Sequence, residues 1–205
     1  MFDVSKNESK FGVPISNQSE LIRAALAYPV GALHIHSGSQ MQNLEAQKEA
    51  LVGLRDVALA INALAPGKIH TLDIGGGLPS EPLEGQTKMA RYGAMVQEVF
   101  RGTSFKLVTE FGQWVHASAG FALSAIEYVI HPDRIFVHLG ADFFMRDAYT
   151  TARPFPLAVI SSRGEWRGGQ QRPFDIAGPL CFAGDYLAHK KNLPGDLQES
   201  DYLVI

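Results

Sequence analysis

The chain has 205 residues, 46% hydrophobic and 19% charged, with a formal net charge of -3. That is the composition of a soluble globular protein, and it argues against a nucleic-acid-binding surface. One cysteine, Cys181, excludes an intrachain disulfide framework and points to a reducing cytoplasm. The absence of an apolar run of about 18 residues, or of an apolar core near the start, gives the expectation of a cytoplasmic protein with no membrane partner.

In chain order, the pattern predicts a helix over about 19–27, with Ser16, Asn17 and Ser19 competing for its N-cap. A strand over 31–36 (GALHIH) follows, then a helix over about 43–64. In that helix Leu44, Leu51, Leu54, Ala58, Ile61 and Leu64 recur at three-to-four spacing, and Pro66-Gly67 ends it. The next strand is 68–74, then come a glycine turn, a helix over about 87–100 and a strand over 104–110. After Gly120 the rhythm changes to short apolar runs at 125–130, 134–139 and 157–160, which read as antiparallel β structure. The stretch 161–172 reads as a surface loop or hairpin, 178–189 as a short helix, and 201–205 as the start of a strand. The expected boundary therefore lies at residue 120, separating 1–120 from 121–205.

Alternating βα units fit a doubly wound sheet or a (β/α)8 barrel. A complete barrel takes roughly 250 residues, so a barrel here would be about half present.

Chemistry gathers at the expected strand ends. Gly75, Gly76 and Gly77 follow the second strand, and without Cβ atoms their N–H groups can turn toward one anion, most often a phosphate. The first strand carries His34 and His36, which alternation puts on one face, followed by Ser37-Gly38-Ser39-Gln40. The third ends in Glu110, at the edge where parallel-strand enzymes keep their chemistry. Together these are the parts of a pyridoxal phosphate site: glycines for the phosphate, Glu110 for the ring nitrogen, and His36 as a flat partner for the ring.

Five segments make this specific. Ser9-Lys10-Phe11-Gly12, His34 to Gln40, Asp73 to Gly77, Glu110 to Gln113 and Gly178-Pro179-Leu180-Cys181 occur in the order found in the pyridoxal-phosphate decarboxylases of the alanine-racemase fold. The sequence resembles that family, which includes the ornithine, arginine and diaminopimelate decarboxylases, over nearly its whole length. The resemblance implies the second half of a pyridoxal-phosphate-binding TIM-type barrel over 1–120 and part of a C-terminal β domain over 121–205. It also implies a pyridoxal 5'-phosphate cofactor and decarboxylation of an amino acid. His36 then stacks on the ring, Glu110 meets the ring nitrogen, and Ser39, Gly75, Gly76, Gly77, Gly112 and Gln113 lie on the phosphate side. Cys181 becomes a catalytic thiol donated across a dimer interface, with Asp185 one helical turn on, facing substrate. The partners implied are a small amino acid and either a second copy of the chain or a missing N-terminal half.

The chain departs from the family in three places. Gln113 stands where the family has an arginine, which removes a charge-assisted phosphate contact. Phe182 stands where an acidic residue often faces a basic substrate. The family's covalent lysine lies before the Ser-Lys-Phe-Gly segment, and no lysine here falls at the C-terminal end of an expected strand, Lys106 being placed mid-strand. The chain is thus expected to be a divergent fragment or split subunit, inactive alone. Two other readings are an inactive remnant or binding subunit, and a metal-dependent barrel hydrolase using His34 and His36 as ligands. The latter lacks expected partners at later strand ends.

Overall fold

A computed structural model describes residues 9–80, 87–117, 119–130, 132–140, 142–143 and 156–205. The chain divides into two compact units, Met1–Ala119 and Gly120–Ile205.

The first unit runs α1 (Gln18–Ala27), β1 (Ala32–His34), α2 (Leu44–Leu64), β2 (Thr71–Asp73), α3 (Thr87–Val99), β3 (Lys106–Val108) and α4 (Gly112–His116). The three strands form a parallel sheet in the order β1-β2-β3, with His34 opposite Asp73 and Asp73 opposite Val108. Helix α2 starts where Asn43 Oδ1 accepts from the N–H groups of Glu45 and Ala46, at 3.0 and 3.3 Å. Its buried face, Leu51, Leu54, Val57, Ala58 and Ile61, packs in one cluster with Ile69, Leu72 and Ile74. The expected stripe is narrower at its ends, since Leu44 is half-buried and Leu64 exposed. Asn62 clamps the helix to the chain entering β2, donating to Ile69 O at 2.7 Å and accepting from Ile69 N–H at 2.8 Å. At α1, Asn17 occupies the N-cap position without a side-chain capping bond.

Each strand is shorter than the sequence suggests, yet ladder bonds continue past the strand ends. Ile35 N–H donates to Asp73 O at 3.0 Å, Ile74 N–H to Val108 O at 2.9 Å and Glu110 N–H to Gly75 O at 2.9 Å. The residues just beyond the sheet are therefore still tied to their neighbours by single ladder bonds.

The second unit contains β4 (Leu123–Ile130), β5 (Arg134–Val137), β6 (Ala158–Ile160), β7 (Gln171–Ala177), β8 (Tyr186–Pro194) and β9 (Tyr202–Val204). They form a sheet in the order β6-β9-β4-β5-β7-β8 around a core that includes Ile126, Ile135, Val159, Ile176, Leu193 and Leu203. Three expectations change here. The sheet is mixed, because β5 and β7 run parallel, with Arg134 opposite Asp175. Strand β7 was not anticipated: Pro173 interrupts the apolar run, but it precedes the stretch paired with β5 and so costs no bond there. No helix forms over 178–189. Gly178, Pro179 and Gly184 are poor helix formers, and the chain instead makes a turn closed by Asp185 before β8 begins at Tyr186. Over 161–172 the chain turns back to form an Ile160–Trp166 bridge before β7.

Among the described residues, no helix is long and apolar enough to cross a membrane.

Candidate functional site

The C-terminal ends of β1, β2 and β3 converge on the glycine turn, and backbone proximity explains the glycines. A Cβ on Gly75 would strike Ile35 O and approach His36 Cα at 3.1 Å. One on Gly76 would strike Glu110 O, and one on Gly77 would strike Gly38 O. Gly75 and Gly77 also have φ of +68° and +90°. The turn is therefore the floor on which the three strand ends close together, and it brings His36, the Gly38–Ser39 segment and Glu110 beside it.

The amides of the turn are less open than expected. Gly75 N–H donates to Asp73 Oδ1 at 2.9 Å, and Gly76 N–H points at His36 Nδ1 at a long 3.4 Å. Gly75 thus serves by close packing, its amide being engaged. Asp73, which the sequence reading did not single out, does two jobs, because its Oδ2 lies 3.2 Å from His34 Nδ1. An Asp two residues before a glycine amide is a recognisable Asx turn, so the signal was present.

His36 Nδ1 lies 3.9 Å from Glu110 Oε2, with side chains 32% and 51% exposed. His34 thus faces the carboxylate at the end of the adjacent β2 and His36 the one just past β3, two strands away. Ser39 is exposed on the loop whose next residue but one, Met41, donates its N–H to Gly77 O at 2.9 Å. Gly112 and Gln113 are exposed in the first turn of α4, and Gly112 N–H donates to Glu110 O at 2.8 Å. Behind them the Phe111 ring meets Tyr92 of α3 edge-on, centroids 5.3 Å apart at 86°. Burial pushes the Tyr92 phenol up to about 12, so it remains a neutral wall behind the Glu110 loop.

Pyridoxal phosphate suits this arrangement. A flat imidazole and a carboxylate stand half-open side by side over a glycine floor, neither consumed by a strong internal bond. Gln40 Oε1 and Trp114 Nε1, next in sequence to Ser39 and Gln113, are buried polar atoms without a hydrogen-bond partner. The geometry also groups His34, Asp73 and Glu110 with ligand atoms within 4.8 Å of one another. Such a trio could hold a cation, but it uses Glu110, which the expected cofactor site also needs, and it omits His36 from the expected metal pair. A cavity of about 340 Å³ beside the start of α2, lined by residues including Asn43, Lys88 and Arg91, contains none of His36, Glu110 or the glycines.

No described lysine of the first unit stands at the C-terminal end of a strand. Lys106 is the first residue of β3 rather than mid-strand, at the opposite end of the strand from Glu110. In the second unit Cys181 is exposed on the turn between β7 and β8. Asp185, expected to face substrate, is 3% exposed, and its Oδ2 accepts from Leu180 N–H at 2.6 Å within its own turn.

With this geometry in view, the relatives are informative. Residues 1–117 match the family model for the pyridoxal binding domain of pyridoxal-dependent decarboxylases, and residues 87–205 match that for their C-terminal sheet domain. The chain belongs to the pyridoxal-dependent decarboxylase family. It is similar to the diaminopimelate decarboxylase of Pseudomonas aeruginosa, 31% identical over 97% of this chain and 48% of the relative. It is also similar to that of Helicobacter pylori, at 27% over 97% and 49%. The chain spans about half the length of these curated relatives. Two solved structures share the fold. One is Helicobacter pylori diaminopimelate decarboxylase complexed with L-lysine, with a TM-score of 0.83 and 24% identity over 99% of this chain and 50% of that one. The other is the Paramecium bursaria Chlorella virus arginine decarboxylase bound to agmatine, with a TM-score of 0.81 and 20% identity over 95% and 54%.

Proposed function

We propose that the chain supplies one half of a pyridoxal-phosphate-dependent decarboxylase acting on a free amino acid. The carrying observation is the placement of His36 beside Glu110 over the Gly75–Gly77 floor, in a segment matched by the pyridoxal-binding model. When bound, the cofactor ring supplies an electron sink for the bond to the departing carboxyl group. Glu110 accepts from the ring N–H and keeps that nitrogen protonated, which matters most as negative charge develops. His36 packs its imidazole on the ring face. Ser39, Gly76, Gly77, Gly112 and Gln113 bind the phosphate, the neutral Gln113 more weakly than an arginine would. Cys181 directs the proton that replaces carbon dioxide.

The described lysines of the first unit stand away from the C-terminal strand ends, so the covalent lysine comes in this reading from the part of the relatives that the chain does not match. The edge strands β1 and β3 are where such a half would pair. The working assembly is then a dimer, with Cys181 reaching the site of the partner subunit. Phe182, in place of an acidic residue, favours a substrate whose side chain does not end in a strongly basic group.

Mixing the chain with pyridoxal phosphate and a lysine-bearing N-terminal half of a diaminopimelate decarboxylase tests this. A visible absorbance band, lost on borohydride reduction, and release of carbon dioxide from an amino acid are expected from the mixture and not from the chain alone. A mixture that stays colourless would favour a binding subunit or remnant. A pyridoxyl group trapped on Lys106 would refute the assignment of the lysine.

A further inference from the structure

The turn that carries Cys181 is built around one buried carboxylate. Phe182 N–H donates to Leu180 O at 2.7 Å, which puts Cys181 at the centre of a three-residue turn. Asp185 then ties this turn down three times. Its N–H donates to Phe182 O at 3.0 Å, its carbonyl accepts from Gly178 N–H at 2.9 Å, and its Oδ2 accepts from Leu180 N–H at 2.6 Å. Any residue at position 185 could make the first two bonds. Only a side chain with an acceptor of this length reaches the N–H of Leu180, the residue immediately before Cys181. Gly178 leaves the space for it: a Cβ there would lie 2.6 Å from Asp185 Oδ1 and 2.7 Å from its Cγ.

We propose that Asp185 is a positioning residue for Cys181, fixing the direction in which the thiol is presented by holding the Leu180 amide. Its carboxylate is turned inward on the Cys181 turn. The functional part of this inference rests on the reading of Cys181 as the decarboxylase thiol; the holding of the turn does not.

Cys181 is the only cysteine, so a thiol reagent such as dithionitrobenzoate reports on one site in the full chain. Losing a hydrogen bond to a charged acceptor in Asp185→Ala should move the labelling rate about tenfold toward that of an unstructured peptide. Gly178→Ala should reproduce the change, because it displaces the carboxylate, and Asp185→Asn, which keeps an acceptor oxygen, should largely restore the native rate. Melting curves recorded in parallel separate this from general loss of stability. Native labelling rates in both alanine variants would overturn the proposal. If Asp185→Ala does not fold, amide exchange in the native chain decides: a protected Leu180 N–H supports the proposal, and exchange at the free-peptide rate overturns it. In the assembled enzyme the alanine variant should lose kcat with little change in KM. Altered labelling with unchanged turnover would leave the positioning intact and remove Cys181 from catalysis.

Discussion

Glu110 in the first unit and Asp201 in the second are carboxylates with opposite fates. The Glu110 side chain is 51% exposed and meets His36 Nδ1 only at 3.9 Å. The Asp201 side chain is 2% exposed, accepts from Arg167 Nε and Nη2 at 2.9 Å each, and from Gln198 N–H at 2.8 Å. A carboxylate whose two oxygens are both claimed by its own fold is scaffolding. One held by its backbone but left open at its oxygens is available to a ligand. The fold builds the first kind where strands β6, β9 and β4 must be locked together, and the second where parallel strands end.

The sharpest way to break this comparison is to neutralise each carboxylate. In the assembled enzyme Glu110→Gln should lower kcat by about 10²–10³-fold, because in the proposed site an amide would not hold the ring nitrogen protonated, and that protonation counts most as negative charge develops in the transition state. The cofactor should remain bound, and the melting midpoint of the chain should stay within about 1 °C, as for other exposed substitutions. Equal turnover in the variant would remove Glu110 from its assigned role. Asp201→Ala should do the reverse. It strands the Arg167 guanidinium, so the melting midpoint of the second unit should fall by about 10 °C, read by circular dichroism. A midpoint equal to that of the native chain would show that the buried pair is dispensable.

Sequence pattern made the first unit readable and the second much less so. Helix α2 was legible because Asn43 and the leucine–isoleucine spacing are local signals, and the strand ends were legible because three glycines need a close backbone approach. The exact strand limits were not, since the ladder continues through Ile35, Ile74 and Glu110 as single bonds beyond the regular sheet. The parallel pairing of β5 with β7 joins residues some forty apart and has no local signature. Asp185 looked like a residue one helical turn beyond Cys181 only because 178–189 looked helical. The turn that replaces the helix depends on a carboxylate whose partner cannot be read from spacing. The wall formed by Tyr92 and Phe111 is equally tertiary in origin.

An intermediate case sharpens the comparison through pH. Asp175 Oδ1 accepts from Lys190 N–H at 3.0 Å, which holds Lys190 at a φ of +49°, and the His189 ring lies 3.4 Å away. The Lys190 amide bond chiefly, and the nearby His189, hold the Asp175 carboxyl below the ordinary carboxylate range. Because the folded value lies below the unfolded one, the stabilisation is complete above the unfolded value and is lost as pH falls through the folded one. Thermal melts taken from about pH 5 down to pH 2 should therefore show a steeper loss for the native chain than for Asp175→Asn. Parallel curves would mean that the Lys190 bond does not favour the charged form.

The smallest effect should come from a charge pair that is neither buried nor part of the site. Lys48 Nζ on α2 and Glu98 Oε1 on α3 are 2.9 Å apart, with side chains 33% and 59% exposed. The bond between them raises the lysine value and lowers that of the glutamate. Water and salt screen such a pair, and ordering two long side chains offsets most of its attraction. Lys48→Ala should accordingly shift the melting midpoint of the first unit by no more than about 1 °C, and added salt should abolish even that. The distance matches that of the Arg167–Asp201 pair, so this variant isolates solvent exposure from geometry. A loss as large as that from Asp201→Ala would mean that hydrogen-bond length, not burial, separates scaffolding charges from available ones, and the contrast between Glu110 and Asp201 would have to be drawn on distance alone.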